Sequence, residues 1–230
     1  MRSIAKNQFI GEYKIPEWLC DDLINFHKNM PMSPPDAIKY NKNYVVKDYG
    51  RHGNYEYTKT TKDSTDVLFK LDLLNNSKIA DDSYYDAIRL LNAYKIELDR
   101  CFKKYRDELF LTDPFQKDLD DYAYYAMDCC TPVESMIIQH YQPSGGFHIW
   151  HSERNGDVRN REFVFTTYLN NVPDGGTEFF NQEKIVKAEK GKTVIFPAGY
   201  THIHRGQISH TQEKYIMTGW YGYNFPSNTM

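Results

Sequence analysis

The apolar positions of this chain follow one period in its first half and another in its second. Tyr84, Ile88, Leu91, Leu98, Phe102, Tyr105 and Leu109 recur at helical spacing, which predicts one long amphipathic helix over residues 83–110, or two in tandem. Ser83, with Asp86 three residues later, reads as a capping box at its start. A shorter helix is predicted over Glu17–Lys28, where Leu19, Leu23 and Phe26 share a face and Pro16 suits the first turn. Phe9–Ile15 before it reads as a first strand. Residues 30–64 are rich in Pro, Asn, Lys, Tyr and Gly and read as loops and short strands.

From about residue 122 the texture turns to β. Met136–Tyr141, Glu162–Leu169, Thr177–Phe180, Lys192–Phe196 and Lys214–Tyr223 are predicted strands, separated by Gly, Pro, Asn and Asp. Val172-Pro-Asp-Gly175 reads as a turn, because Pro fixes φ and Gly tolerates positive φ. Helices first and many short strands after predict an α+β fold, with helices packed on one face of a β-sandwich or jelly roll. No internal repeat or low-complexity linker interrupts it. At 230 residues the chain fits a single domain, with a helical N-terminal part (about 1–120) and a β core (about 121–225).

Composition narrows the function classes. The net charge is −3, and no basic stripe dominates, which argues against duplex nucleic acid as a partner. No apolar run is long enough to span a membrane. Met1–Asn7 is positively charged but has no apolar run behind it, unlike a secretory signal. The four cysteines, Cys20, Cys101, Cys129 and Cys130, are irregularly spaced and fit reduced thiols in the cytoplasm. The 19 tyrosines and 13 phenylalanines fit half-buried strands.

The candidate chemistry lies in two short segments, His151-Ser-Glu153 and His204-Arg-Gly206, with Lys214 following. Two imidazoles and one carboxylate on one side of a metal form the arrangement of non-heme Fe(II) oxygenases. Of the eight histidines, only His151 is followed two places later by an acidic residue. On a strand, residues i and i+2 point to the same side, so His151 and Glu153 are expected to meet one ion from one strand. The plain alternative is an exposed strand pair and an unrelated loop histidine.

The wider text resembles the Fe(II)/2-oxoglutarate-dependent dioxygenases, in particular their prolyl 4-hydroxylase-like branch. The resemblance runs from Met136 to Asn224. It rests on Tyr141-Gln-Pro-Ser-Gly-Gly-Phe147, Trp150-His-Ser-Glu153, Tyr168-Leu-Asn170, Asp174-Gly-Gly-Thr-Glu-Phe179, Lys190-Gly-Lys-Thr-Val-Ile-Phe-Pro197, His204-Arg-Gly206 and Lys214-Tyr-Ile-Met-Thr-Gly-Trp220. One departure stands out: the family usually has His-x-Asp where this chain has His-x-Glu.

The resemblance implies a double-stranded β-helix core. It implies hydroxylation of a C–H bond with O2, releasing succinate and CO2, with Fe(II) and 2-oxoglutarate as cofactors and ascorbate as a further candidate. His151, Glu153 and His204 would hold the iron. His202 competes with His204, but the family's distal histidine precedes its basic residue by nine or ten positions, which fits His204 and Lys214. His148 is expected to be structural or near the mouth of the site. Lys214 would pair with the far carboxylate of 2-oxoglutarate, since a buried charge needs a partner. Thr218, on the same strand face, and Tyr168 would donate further hydrogen bonds to it, and Tyr141 would lie beside it. The plain alternatives are strand packing for Thr218 and Tyr168 and a surface position for Lys214. Arg205 and the polar loop from Arg154 to Arg161 are expected near the substrate.

The resemblance makes a proline in a peptide the leading substrate. A hydroxylase of a free amino acid or other small molecule is the first rival. A metal- or carbohydrate-binding jelly roll without turnover is a rival of another class, and nucleic-acid demethylation is disfavoured by charge.

Overall fold

The computed structural model describes residues 8–34, 44–49, 61–75, 84–110 and 121–223. Its strands are β1 (Gly11–Lys14), β2 (Val45–Tyr49), β3 (Thr65–Lys70), β4 (Thr131–Tyr141), β5 (Arg161–Tyr168), β6 (Val172–Phe179), β7 (Lys184–Ala188), β8 (Lys192–Pro197), β9 (His204–Gly206) and β10 (Lys214–Gly222). Its helices are α1 (Glu17–Asn29), α2 (Asp72–Asn75), α3 (Tyr85–Phe110) and α4 (Asp121–Asp128). Seven strands form a major sheet in the order β1-β8-β5-β10-β4-β3-β2, and three form a minor sheet in the order β7-β6-β9. All strand pairs are antiparallel.

The period-two alternation of β5 and β10 separates two cores. Phe165 of β5 and Tyr215, Met217 and Tyr221 of β10 face outward into a cluster with α1 and α3. Helix α3 buries Leu90, Leu91, Tyr94, Leu98, Cys101, Phe102 and Tyr105 there. Each large apolar side chain so buried contributes about 1.5–3 kcal/mol. The Phe102 and Tyr221 rings stack at 3.9 Å, and the Tyr94 hydroxyl meets Thr167 Oγ1 at 2.8 Å. Val164, Tyr168 and Trp220 face inward and pack with Val172, Phe179 and Val186 of the minor sheet. The remaining inward positions leave a cavity between the sheets.

The two predicted helices are present. The buried face of α3 also takes in Ala87, Leu90, Tyr94 and Cys101, beyond the stripe read from sequence. The Ser83 cap lies outside the described residues. Four expectations change. Asp121–Asp128 is a helix, so the β core starts at Thr131. Strand β3 and strand β7 were not anticipated; their buried positions alternate, but the residues do not, since Val67-Leu-Phe69 is a continuous apolar run and Ile185 is apolar yet exposed. Val172–Gly175 is not a free turn. It lies inside β6 as a bulge, where the register jumps from Val172 opposite Ala188 to Thr177 opposite Val186. Finally, His151 and Glu153 do not share a regular strand, as described next.

Candidate metal and cosubstrate site

His151 sits in an isolated bridge with His204. Each backbone N–H donates to the other's carbonyl, at 3.0 and 2.9 Å, so the two side chains are cross-strand neighbours. Their ring centroids are 4.4 Å apart. Beyond the bridge the chain bends, and the Glu153 and Arg154 N–H groups both donate to Ala198 O, at 3.1 and 3.0 Å. This bend turns Glu153 towards the imidazoles. Glu153 Oε1 lies 3.3 Å from His151 Nε2 and 3.7 Å from His204 Nε2. The three ligating atoms lie within 4.8 Å of one another.

Both imidazoles are oriented from behind. His151 Nδ1 donates to Ile149 O and His204 Nδ1 donates to His202 O, each at 2.9 Å. These bonds fix the tautomer and leave each Nε2 lone pair facing the cluster, the way metal-binding histidines are held. Burial pushes the Glu153 carboxyl up, but the two imidazoles outweigh it and hold the group well below the usual carboxylate range. Two neutral nitrogens and one anionic oxygen on one side of an open space fit a divalent ion of the Fe(II) kind.

The other histidines are occupied elsewhere. His202 is buried, with Nε2 on Gln8 O at 2.9 Å. His148 is exposed. Arg205 does not line the cavity; its guanidinium lies 4.3 Å over the Trp150 ring and its Nε donates to Glu178 Oε2 at 2.6 Å.

The cavity next to the cluster has a volume of about 250 Å³. Lys214, only 5% exposed, lines it. Its Nζ donates to Gln207 O at 2.7 Å and to Gly175 O, in the β6 bulge, at 3.2 Å. It also lies 5.1 Å over the Tyr141 ring. Among the described residues no carboxylate forms an ion pair with it, although Asp174 acts on it through space. Burial brings its pKa down to about 8. A buried ammonium with no anionic partner calls for an anionic ligand.

The remaining predicted residues line the same cavity. Tyr141 donates its hydroxyl to Gln139 Oε1 at 2.6 Å. The Tyr168 hydroxyl meets Thr177 Oγ1 at 2.6 Å. Thr218 donates its proton to Phe165 O at 2.9 Å. Three residues at the cluster were not anticipated in their roles: Trp220, Arg161 and Glu134. Trp220 Nε1 donates to Glu153 Oε2 at 3.0 Å and Arg161 Nη1 to the same oxygen at 3.3 Å. Trp220 shares the inward face of Lys214 and Thr218 by period two, and this was its only signal in the sequence.

A two-histidine, one-carboxylate cluster and a buried cation across one cavity of a jelly-roll fold form an arrangement compatible with non-heme iron chemistry. Residues 136–222 match the family model of the 2OG-Fe(II) oxygenase superfamily. Among solved structures, the chain is similar to a prolyl 4-hydroxylase from Pseudomonas putida, at 13% identity and a TM-score of 0.54, covering 94% of this chain and 93% of that one. It is similar to the collagen prolyl hydroxylase of Paramecium bursaria chlorella virus 1 in its 2-oxoglutarate complex, at 14% identity and a TM-score of 0.53, covering 97% and 100%. A Trichoplax adhaerens prolyl hydroxylase, bound to a peptide of the hypoxia-inducible factor oxygen degradation domain, matches at 12% identity and a TM-score of 0.54, covering 95% and 86%. Comparison with curated proteins finds no match. The structural likenesses establish the double-stranded β-helix fold. The family match lies over residues 136–222, the stretch that carries the His-Glu-His cluster and Lys214. The matched family is one of oxygenases that work with Fe(II) and 2-oxoglutarate.

Proposed function

We propose that this chain hydroxylates a prolyl residue in a peptide, with His151, Glu153 and His204 holding the iron and Lys214 holding the far carboxylate of 2-oxoglutarate. The observation that carries the site assignment is the buried ammonium of Lys214, without an ion-pair partner among the described residues, in the same cavity as the His-Glu-His cluster. Fe(II), when bound with 2-oxoglutarate and O2, supplies the oxidation of an unactivated C–H bond. The residues supply position. The backbone carbonyls of Ile149 and His202 aim the imidazoles, and Lys214 anchors the cosubstrate by charge. Tyr141 lies beside it, and Tyr168 and Thr218 turn their hydroxyls into the cavity wall. Thr218 has its proton committed to Phe165 O, so it serves a carboxylate as donor only if that bond is given up.

A peptide substrate is supported by two structural neighbours, a viral collagen prolyl hydroxylase and a prolyl hydroxylase in complex with a peptide fragment. It is also supported by the cavity's reach to Tyr49, which is 63% exposed on edge strand β2. A single domain carries the whole reaction in this reading, since α1 and α3 cover the outer face of the sheet whose inner face lines the site. The four cysteines are all free, which fits a reducing compartment such as the cytoplasm. Among the described residues no helix is long and apolar enough to cross a membrane.

The test is succinate release from 2-oxoglutarate with Fe(II), alone, with proline-rich peptides and with free amino acids. Proline-rich peptides are expected to stimulate release and to gain the mass of one oxygen on proline. Stimulation by a free amino acid alone would favour the small-molecule reading, and no 2-oxoglutarate turnover with any of these would count against hydroxylation of them.

The state of Lys214 sets a pH dependence. Its folded pKa is lowered to about 8 from an ordinary 10.5, so the charged form disappears first in the fold. Affinity for 2-oxoglutarate is therefore expected to fall as pH rises through about 8. For stability the sign is opposite. Between about pH 8 and 10.5 the unfolded chain holds a proton that the fold has shed, so this group's contribution to the stability of the cosubstrate-free protein rises with pH. Titrating 2-oxoglutarate from pH 7 to 9.5 against the Lys214→Met variant isolates the effect; parallel profiles would remove Lys214 from the cosubstrate site.

A further inference from the structure

We propose that Trp220, Arg161 and Glu134 are positioning residues that lock Glu153 into a one-oxygen ligand, and that this clamp is what lets a glutamate stand where the family usually has an aspartate. The inference rests on the proposed metal centre. The two oxygens of Glu153 have separate duties. Oε1 faces the imidazole nitrogens. Oε2 is taken by Trp220 Nε1 at 3.0 Å and Arg161 Nη1 at 3.3 Å. Glutamate has one more rotatable bond than aspartate, and holding it in one geometry costs more rotamer freedom. A carboxylate pinned at its far oxygen has that freedom removed before any ion arrives.

The clamp is itself held. The Arg161 guanidinium lies 3.5 Å from the Trp220 ring, stacked on its face. Its Nε donates to Glu134 Oε1 at 2.7 Å, its Nη2 to Glu134 Oε2, and its Nη1 also reaches Glu153 O at 3.2 Å. The fork is thus spent on protein groups, and Arg161 is only 9% exposed. This is not a side chain waiting for substrate. Glu134 is brought to it by a bulge in β4. Thr218 stands opposite Ile137, but Trp220 stands opposite Val133, so β4 carries extra residues in between. Glu134, within that bulge, has φ of 64°, an uncommon conformation for a residue with a side chain. Bulges re-aim side chains beside active sites. Here the bulge reaches Glu153 through one intermediate, Arg161.

The decisive substitution is Trp220→Phe, which keeps an aromatic face for Arg161 and removes the indole N–H together with part of the ring. The readout is binding of Mn(II) to the metal-free protein by calorimetry, with melting of the same metal-free protein measured in parallel. Partners of metal ligands typically govern 10–100-fold in affinity, and a loss of that size is expected in addition to the fall in melting that a smaller ring in the core brings by itself. The same substitution in a Glu153→Asp background is expected to cost almost nothing more, because the shorter carboxylate no longer reaches the indole. Glu134→Gln, remote from the ion, is expected to weaken Mn(II) binding by a smaller factor through Arg161. Unchanged Mn(II) affinity in Trp220→Phe, or an equal loss in both backgrounds, overturns the clamp while leaving the metal centre standing. A wild-type chain that binds no Mn(II) overturns the metal centre and the clamp together.

Discussion

Lys214→Ala is expected to raise the 2-oxoglutarate requirement by roughly two to three orders of magnitude while leaving divalent metal binding nearly intact. The ammonium is buried and, among the described residues, bonds to two backbone carbonyls beside a tyrosine face. A buried carboxylate that loses its cation typically forfeits about 3–5 kcal/mol, and each 1.4 kcal/mol is tenfold. The two carbonyls left behind, Gly175 O and Gln207 O, become accessible to water in the vacated space. The measurement is the 2-oxoglutarate dependence of succinate release, with Mn(II) affinity as the control. Equal cosubstrate affinity in the variant would show that another cation does this work.

Glu153 gives the other large effect. Glu153→Ala is expected to abolish nearly all turnover at saturating Fe(II) and 2-oxoglutarate, since it leaves two neutral imidazoles and removes the only anion of the cluster. Glu153→Asp restores the family's usual residue and is still expected to lose most activity. Its carboxylate falls short by roughly an ångström, a misplacement that costs on the order of 10²-fold in rate. It also falls short of Trp220 and Arg161, which now hold the far oxygen of Glu153. Some iron binding should survive in the aspartate variant. Full activity in Glu153→Ala would mean that Glu153 is not a ligand and that an exogenous anion or Asp157, which is exposed, completes the site.

Parts with a local signature were readable from the order of residues alone. The stripe from Leu91 to Leu109 specified α3, because one apolar face at helical period has only one way to be buried. The alternation along Lys214–Trp220 placed Lys214, Thr218 and Trp220 on one face before any partner strand was known. The residue types at His151, Glu153 and His204, and the spacing from His204 to Lys214, were legible as text. The tertiary structure decided how they converge. His151 and Glu153 do not meet through strand geometry; a two-way backbone bridge to His204 and a bend tied to Ala198 bring them together. Val172–Gly175 kept its turn chemistry but was absorbed into β6, where the Gly175 carbonyl became a partner of Lys214. Strands β3 and β7 form because neighbours supply their hydrogen bonds. The Glu134–Arg161–Trp220 clamp joins three strands, with Trp220 lying 67 residues from the carboxylate it holds. Periodicity and turn chemistry act over a few residues. Which side chains meet across sheets is set by strand register and bulges, and those are fixed only when the whole sheet is assembled.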